Sequence, residues 1–434
     1  MKNQNNLTKY VFTKYEIFLI AILAIVQFTV VLDFMVLSPL GAILMRILSI
    51  SPGKFSTVVA AYALSAGAAG FIASGFADKF DRKKLLVFFY SGFVLGTLFC
   101  GIAPNYEFLL FARIFTGIFA GVMSSVSFAI ITDLFPMQAR GRVMGFVQMS
   151  FAVSQVLGIP VGIFLATKMG WHAPFLMIVA FSIIVLAVVI IKMKPVDKHL
   201  EIISDKNPFL HLVHTLINKR YLQGFAAMAF LAIGGFMLMP FTSAFLVNNI
   251  GISESQLPLI FMITGMFSMV TGPLVGRLSD KMGKYRLFIW GTILTMIMMV
   301  IYTNLSPTAI WIVVIINVIM FVGITARMIS AGSLITGVPE PSDRGAFMSI
   351  NSSIQQLAGG VSSIIGGMII SSSSTGKLNH FDTVGYIAVG VMMLSIYLMY
   401  YIHRMIKEPG IQYADETTNP EVLDDTLATS REAI

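Results

Sequence analysis

Two ionisable side chains stand inside long apolar runs of this 434-residue sequence, where either could do proton or charge chemistry. Asp33 follows Val31-Leu32 and precedes Phe34-Met35-Val36; Arg113 follows Phe111-Ala112 and precedes Ile114-Phe115. A carboxylate within a bilayer span is costly and by default marks a functional site. Removal from water favours its neutral form, which brings protonation towards the physiological pH range. The plainer alternative is a carboxyl group satisfied by neighbouring helices. Arg327 is a second cation in an apolar stretch, has no acid in its own stretch, and invites an anionic solute or a carboxylate partner. Gly158, Pro160 and Gly162 would permit a kink and close helix approach, or serve ordinary packing.

Other chemistries find little here. The single cysteine, Cys100, cannot form an intrachain disulfide and lies in an apolar stretch. His211 and His214 are three apart but lack nearby Cys or acidic ligands, so no metal site is expected. His172 and His380 fall at the surface opposite the basic loops. No nucleotide-binding glycine loop is found, and no cofactor is expected. An integral membrane enzyme would need clustered catalytic groups at one face, and none is seen.

The elements that must position these residues follow from composition. The chain is 56% hydrophobic and 12% charged, against about 25% charged in a soluble domain. Lipid is therefore the solvent for most of it. A span needs roughly 20 apolar residues, and twelve are read, at 16–45, 55–77, 84–103, 107–133, 143–167, 171–193, 221–249, 255–277, 286–303, 308–335, 345–371 and 382–405. Each must be a helix, because hydrocarbon offers no partner to free backbone groups. The fold class is thus all-α and polytopic. The apolar run from Ile17 is too long for a signal peptide and reads as a retained first span.

The net charge of +8 does not indicate a nucleic-acid partner. The positives sit in short loops, where they set topology. With both termini cytoplasmic, the inner segments hold 23 of the 29 Lys and Arg, and the outer side only Arg46, Lys54, Lys168 and Lys377. A multi-pass protein of the cell membrane is expected. Residues 1–15 form a cytoplasmic N-terminus, 194–220 a cytoplasmic central loop with a short interfacial helix after Pro208, and 406–434 a polar, acidic tail expected to be disordered.

The segments 16–193 and 221–405 resemble each other. Arg140-Gly141 with Met144 recurs as Arg344-Gly345 with Met348, and Asp78-Lys79 recurs as Asp280-Lys281. Such a parallel repeat places a solute site between the halves, near the midplane. Candidate solute contacts are Gln27, Tyr62, Gln148, Gln155, Asn317, Arg327, Asn351, Gln355 and Gln356.

With these loops in view the chain resembles the major facilitator superfamily, and within it the proton-coupled drug and sugar efflux permeases. Residues 74–84, Ser-Gly-Phe-Ala-Asp-Lys-Phe-Asp-Arg-Lys-Lys, are similar to the family's G-x-x-x-D-R-x-G-R-K signature. Ser74 and Asp81 replace glycines there, which would make the turn less forgiving. The second copy, Gly276 to Lys284 with Asp280 and Gly283, fits better. Arg113, Gly117 and Gly121 resemble R-x-x-x-G-x-x-x-G, and Gly158-Ile-Pro160-Val-Gly162 the G-x-P-x-G form of efflux permeases. Gly170-Trp171-His172 is similar to G-W-R.

The resemblance implies twelve helices in two six-helix bundles. It also sets spans one and four side by side at the cavity. Asp33 would lie roughly 18 Å and Arg113 roughly 9 Å below the outer ends of those spans, with Arg113 holding the carboxylate when close and freeing it when the helices part. Asp78, Arg82, Asp133, Asp280, Lys284 and Arg344 would latch the cytoplasmic side, with Asp78 facing the N-terminal end of span eleven near Gly345. Asp78 and Arg82, four apart, would share a helix-end face. The expected activity is secondary active transport by a monomer, exporting a small drug-like or sugar-like solute against protons. The alternative is a symporter importing a nutrient or organic anion.

Overall fold

The computed structural model of the chain describes residues 10–73, 75–197, 200, 208–340 and 343–407, and leaves undescribed the side chains of residues 78, 208–210, 280 and 407. The tail from 408 onward lies outside the described residues.

The first half opens with α1 (Lys14–Val36), capped by a reciprocal Thr13–Glu16 box. The expected first span of 16–45 is broken: a turn over residues 37–40 separates α1 from the short α2 (Gly41–Ile47). Then come α3 (Pro52–Ala73), a 3-10 turn at Ala77–Lys79, α4 (Arg82–Gly101) and α5 (Tyr106–Leu134). The fifth span is two helices, α6 (Met137–Val153) and α7 (Ile159–Met169), joined by a π-helical turn at Ser154–Gly158; α8 (Ala173–Lys192) ends the half. Pro160 lacks an N–H and would clash with the carbonyl four residues back, and the wider π turn just before it accommodates that defect.

The interfacial helix expected after Pro208 is present as α9 (Pro208–Ile217). The second half contains α10 (Lys219–Phe236) with the short α11 (Thr242–Phe245), α12 (Leu257–Met282), α13 (Lys284–Thr303), α14 (Ile310–Ile335), α15 (Arg344–Ile369) and α16 (Phe381–Lys407). A two-residue-per-strand hairpin, β1 (Ser371–Ser372) with β2 (Leu378–Asn379), links the last two helices.

Eleven of the twelve spans are long and apolar enough to cross a membrane on composition alone. The exception is α15, whose middle carries Asn351, Ser353, Gln355, Gln356, Ser362 and Ser363. A span that polar cannot face lipid, and it packs instead along α3, across the interface between halves. Glycines make that approach possible. A Cβ on Gly67 would lie 2.9 Å from the Ser353 carbonyl oxygen, and one on Gly360 2.7 Å from Leu64 Cγ.

The end of the bundle bearing Arg82, Arg140 and Lys284 is the basic end, and the opposite end holds the halves together. There Ser38 donates to the Met239 carbonyl, and Ser243 Oγ donates to the Ser38 carbonyl at 3.0 Å. Arg46 pairs with Glu254 at 2.6 Å. Ala42, Ile159 and Ile163 from the first half join the second half's apolar cluster. Towards the basic end the fifth and eighth spans separate. The α12 helix packs closely on α7 and the π turn but scarcely on α6. A Cβ on Gly141, Gly145, Gly272 or Gly276 would meet nothing within 4 Å.

Candidate functional site

Asp33 and Arg113, 80 residues apart, meet inside the first half. Arg113 Nη1 donates to Asp33 Oδ2 at 2.7 Å and approaches the Asp33 carbonyl oxygen at 3.4 Å. Both side chains are sealed, at 1% and 0% exposure for Arg113 and Asp33. The guanidinium also sits 4.3 Å from the Tyr62 ring centroid, a cation–π contact from α3. Asp33 Oδ1 and Arg113 Nε find no hydrogen-bond partner among the described residues. The pair is therefore held at one edge and underbonded at the other, as a group that must later change partners would be.

The sequence around Arg113 explains its placement. Asn105 caps α5 by accepting from the Phe108 amide at 2.9 Å. Arg113, Gly117 and Gly121 then fall on one helix stripe. A Cβ on Gly117 would sit 2.5 Å from the Tyr62 carbonyl oxygen, and one on Gly121 would collide with the Ala66 backbone. Without side chains at 117 and 121, α5 lies directly on α3 and delivers Arg113 to Tyr62.

Asp33 was expected to face a water-accessible crevice, and here it does not. Aromatic rings lead from the pair to the other half: Tyr62, beside Arg113, packs on Phe34 at 5.4 Å, and Phe34 meets Phe236 of α10 across the interface at 5.9 Å. Phe34 and Phe236 were missed in the sequence, where they are two among 35 phenylalanines; the one signal available was that Phe34 directly follows Asp33. Gly158 and Gly162 bring the fifth span onto α1 beside this site. Their Cβ atoms would press on Leu32 and, at 2.6 Å, on Val36 Cγ2.

The basic end has three local features. First, Asp78 and Arg82 do not share a helix face. Asp78 lies in the 3-10 turn, Phe80 is extended with φ −128° and ψ 150°, and Arg82 opens the next helix. Second, Arg82 Nε donates to Asp133 Oδ2 at 2.9 Å and Nη1 to the Ala77 carbonyl at 2.7 Å. That pair ties α4 to α5 within the first half. Third, the turn at Asp81 has φ −54° and needs no glycine. Gly283, at the same place in the second copy, has φ +89° and does. Asp81 Oδ1 instead accepts from the Lys83 amide at 2.8 Å and the Val196 amide at 3.0 Å. It caps α4 and pins the segment after α8, a role its position just before a helix could have disclosed. Lys284 and Arg344 are exposed, each opening a helix. The side chains of Asp78 and Asp280 lie outside the described residues.

Asp81→Ala removes an acceptor shared by two backbone amides at a nearly buried position, 9% exposed. A loss of about 1–3 kcal/mol is expected, read as a thermal midpoint several degrees lower in detergent. Asp81→Asn should retain part of it. An unchanged midpoint in Asp81→Ala would mean that Asp81 does not secure this corner.

Of the proposed cavity residues, several have helix-level partners. Gln27 Nε2 donates to Ser124 Oγ at 3.1 Å, linking α1 to α5, and Asn317 Nδ2 donates to its own helix at Val313. Gln355 Nε2 lies 3.4 Å from the Asn351 carbonyl. Asn351 is buried, with Oδ1 lacking a partner among the described residues. Gln148 is exposed on α6, while Gln155 and Gln356 are half-buried. Arg327 is buried in α14 at 2% exposure, without an acid. The structure joins Tyr62 to Asp33 and Arg113 and leaves the remaining candidates distributed over both halves.

Asp343, not singled out in the sequence, accepts from the Tyr221 hydroxyl at 2.8 Å and lies 3.1 Å from His211 Nε2. That contact docks α9 on the start of α15. No group of three or more potential metal ligands occurs among the described residues.

Twelve spans in two halves, closed together at one end, with a buried ionic pair inside the first half, define a polytopic helical membrane transporter. The pattern of the Major Facilitator Superfamily matches residues 23–231 and 224–424, and the chain belongs to that family. It is 24% identical over 379 residues to the uncharacterized MFS-type transporter YbcL of Bacillus subtilis, covering 87% of this chain and 95% of that protein. It is 27% identical over 245 residues to the multi-drug resistance efflux pump PmrA of Streptococcus pneumoniae, covering 53% and 58%. A bacterial homologue of the human lysosomal transporter Spinster, solved inward-facing and unoccupied, superposes with a TM-score of 0.76 at 17% identity, over 93% of this chain and all of that one.

Proposed function

We propose that this transporter exchanges protons for a small drug-like solute by alternating access, exporting it from the cell. The observation that carries the reading is the placement of Asp33. Its pair with Arg113 lies against Tyr62, Tyr62 packs on Phe34, and Phe34 meets the second half at Phe236. Separation of bundles 16–193 and 221–405 at this level breaks the Phe34–Phe236 contact. Water then reaches the carboxylate, which takes a proton and releases Arg113. Closure reverses the exchange on the other side of the membrane.

The basic end is assigned to the cytoplasm with both termini, by the bias of Lys and Arg. The separation of α6 from α12 then opens inward. Arg46–Glu254 and the Ser38 contacts form the outer closure. The monomer is the transporting unit, since two repeats supply both walls of a cavity. One proton charge crossing 100 mV supplies about 2.3 kcal/mol, and the multidrug relative named above supports a small, variable solute.

The deciding experiment uses purified protein in vesicles with imposed pH gradients and a panel of labelled drug-like solutes. An antiporter accumulates solute when the lumen is acidic. Accumulation only when the outside is acidic would replace this reading by import in symport.

A further inference from the structure

The two buried intramembrane cations are treated differently. Arg113 has an acid and an aromatic ring. Arg327, equally buried, has neither, and no hydrogen bond from its guanidinium is found among the described residues; Nε and Nη2 are sealed without partners. A guanidinium stays charged in a protein, and a buried charge without a counter-charge is strongly unfavourable. Among the described residues the second half supplies none from within. The 202-residue shift between Asp78 and Asp280 carries Asp33 to Gly235 and Arg113 to Ile315, so the repeat keeps neither member of the pair and Arg327 is a cation of the second half alone.

The surroundings are shaped for a small acceptor. Arg327 lies eight residues, roughly 12 Å, from the basic end of α14. Helical side chains point towards their N-terminus, which here aims the guanidinium at the middle of the membrane and away from the nearer interface. A Cβ on Gly234 of α10 would stand 3.7 Å from its Nη2 and 3.1 Å from Met392 Cγ, so its neighbours on that side are a glycine and a flexible methionine side chain. Ser330, three residues on and on the same helix face, is fully buried, and its hydroxyl has no partner among the described residues. A fork of N–H donors beside a free hydroxyl matches the oxygens of a carboxylate or phosphate.

We infer that Arg327, with Ser330, binds the acidic group of the transported solute, which is therefore an organic anion. The assignment rests on the transport reading above and narrows its substrate class. Binding delivers the counter-charge that the second half lacks, and the solute then spans the cavity between this cation and the first half.

The test is thermal stabilisation of the purified full-length protein by benzoate, naphthoate, hexanoate and phenyl phosphate, with benzamide, naphthamide and hexanamide as neutral counterparts of the carboxylates. Anions are expected to raise the midpoint by a few degrees where the amides do not. Arg327→Gln should lose the shift, and Arg327→Lys should keep part of it. Gly234→Asp sets an acid against the guanidinium and requires the flexible Met392 side chain to shift from a 3.1 Å contact; it should abolish anion binding while its ligand-free midpoint stays within a few degrees of the parent, so the outcome does not depend on Arg327→Gln folding. Stabilisation by amides as strong as by anions, no response to any anion, or an anion response that survives Gly234→Asp would overturn the assignment. Vesicle accumulation is read separately. Accumulation of the amides, unaffected by Arg327→Gln, would remove the anion site and leave transport standing. Anion binding that depends on Arg327, with no accumulation under either pH gradient, would remove the transport reading and leave the site.

Discussion

Asp33→Asn is expected to reduce solute accumulation driven by an acid lumen by about tenfold or more, ~1.4 kcal/mol or more of lost coupling, in a protein that still folds. The amide has the carboxylate's size and still offers an oxygen to Arg113 Nη1, now 2.7 Å from Asp33 Oδ2. What it lacks is a titrating group. Solute-for-solute exchange without a gradient should therefore persist while uphill movement fails. That split separates coupling from packing, because a collapsed pair would suppress both. Wild-type accumulation in Asp33→Asn would show that the driving proton is carried elsewhere, whatever the pair does for the fold.

The second large effect is steric. Gly121→Val places a branched side chain where even a Cβ would strike the Ala66 backbone of α3. Overpacking a tight contact costs about 1–3 kcal/mol, and here the obstacle is backbone, which cannot rotate away. The helices α3 and α5 must move apart, and with them Tyr62 and Arg113, now 4.3 Å from ring centroid to guanidinium. Transport is expected to fall about tenfold or more, equivalent to ~1.4 kcal/mol, together with a clear drop in thermal midpoint. Gly121→Ala should show a smaller effect of the same sign. Gly141→Ala, at a position where an added Cβ meets nothing within 4 Å, is the control and should behave as wild type. A normal midpoint and rate for Gly121→Val would mean that the α3–α5 contact does not position Arg113.

The contrast between Asp81 and Gly283 shows how equivalent loop positions diverge. In the second copy a left-handed glycine makes the turn directly. In the first, a 3-10 turn and an extended Phe80 absorb the change of direction, which frees residue 81 to be an acid. Its carboxylate then ties down the segment following α8. A motif comparison registers Asp81 as a departure, whereas the backbone shows it to be a different solution of the same corner.

Lipid as solvent, the helical spans, the family and the position of Asp33, Arg113 and Arg327 as charges inside spans were legible in the sequence. Each depends on local composition: an apolar run must be helical in hydrocarbon, and a charge within it is costly wherever the helix packs. The glycine stripe from 117 to 121 was legible for the same reason, since spacing along one helix fixes one face. What the tertiary structure decided is how helices rotate against each other. That sets whether Arg113 reaches Asp33 or an acid nearer in sequence, whether Phe34 meets Phe236 of the other half, and whether Arg82 reaches Asp133 of the neighbouring helix. It also left Arg327 without an acid, a fact about five other helices that no reading of its own span contains. These outcomes turn on contacts between residues tens to hundreds of positions apart, whose geometry is fixed by packing of the whole bundle rather than by any segment of it.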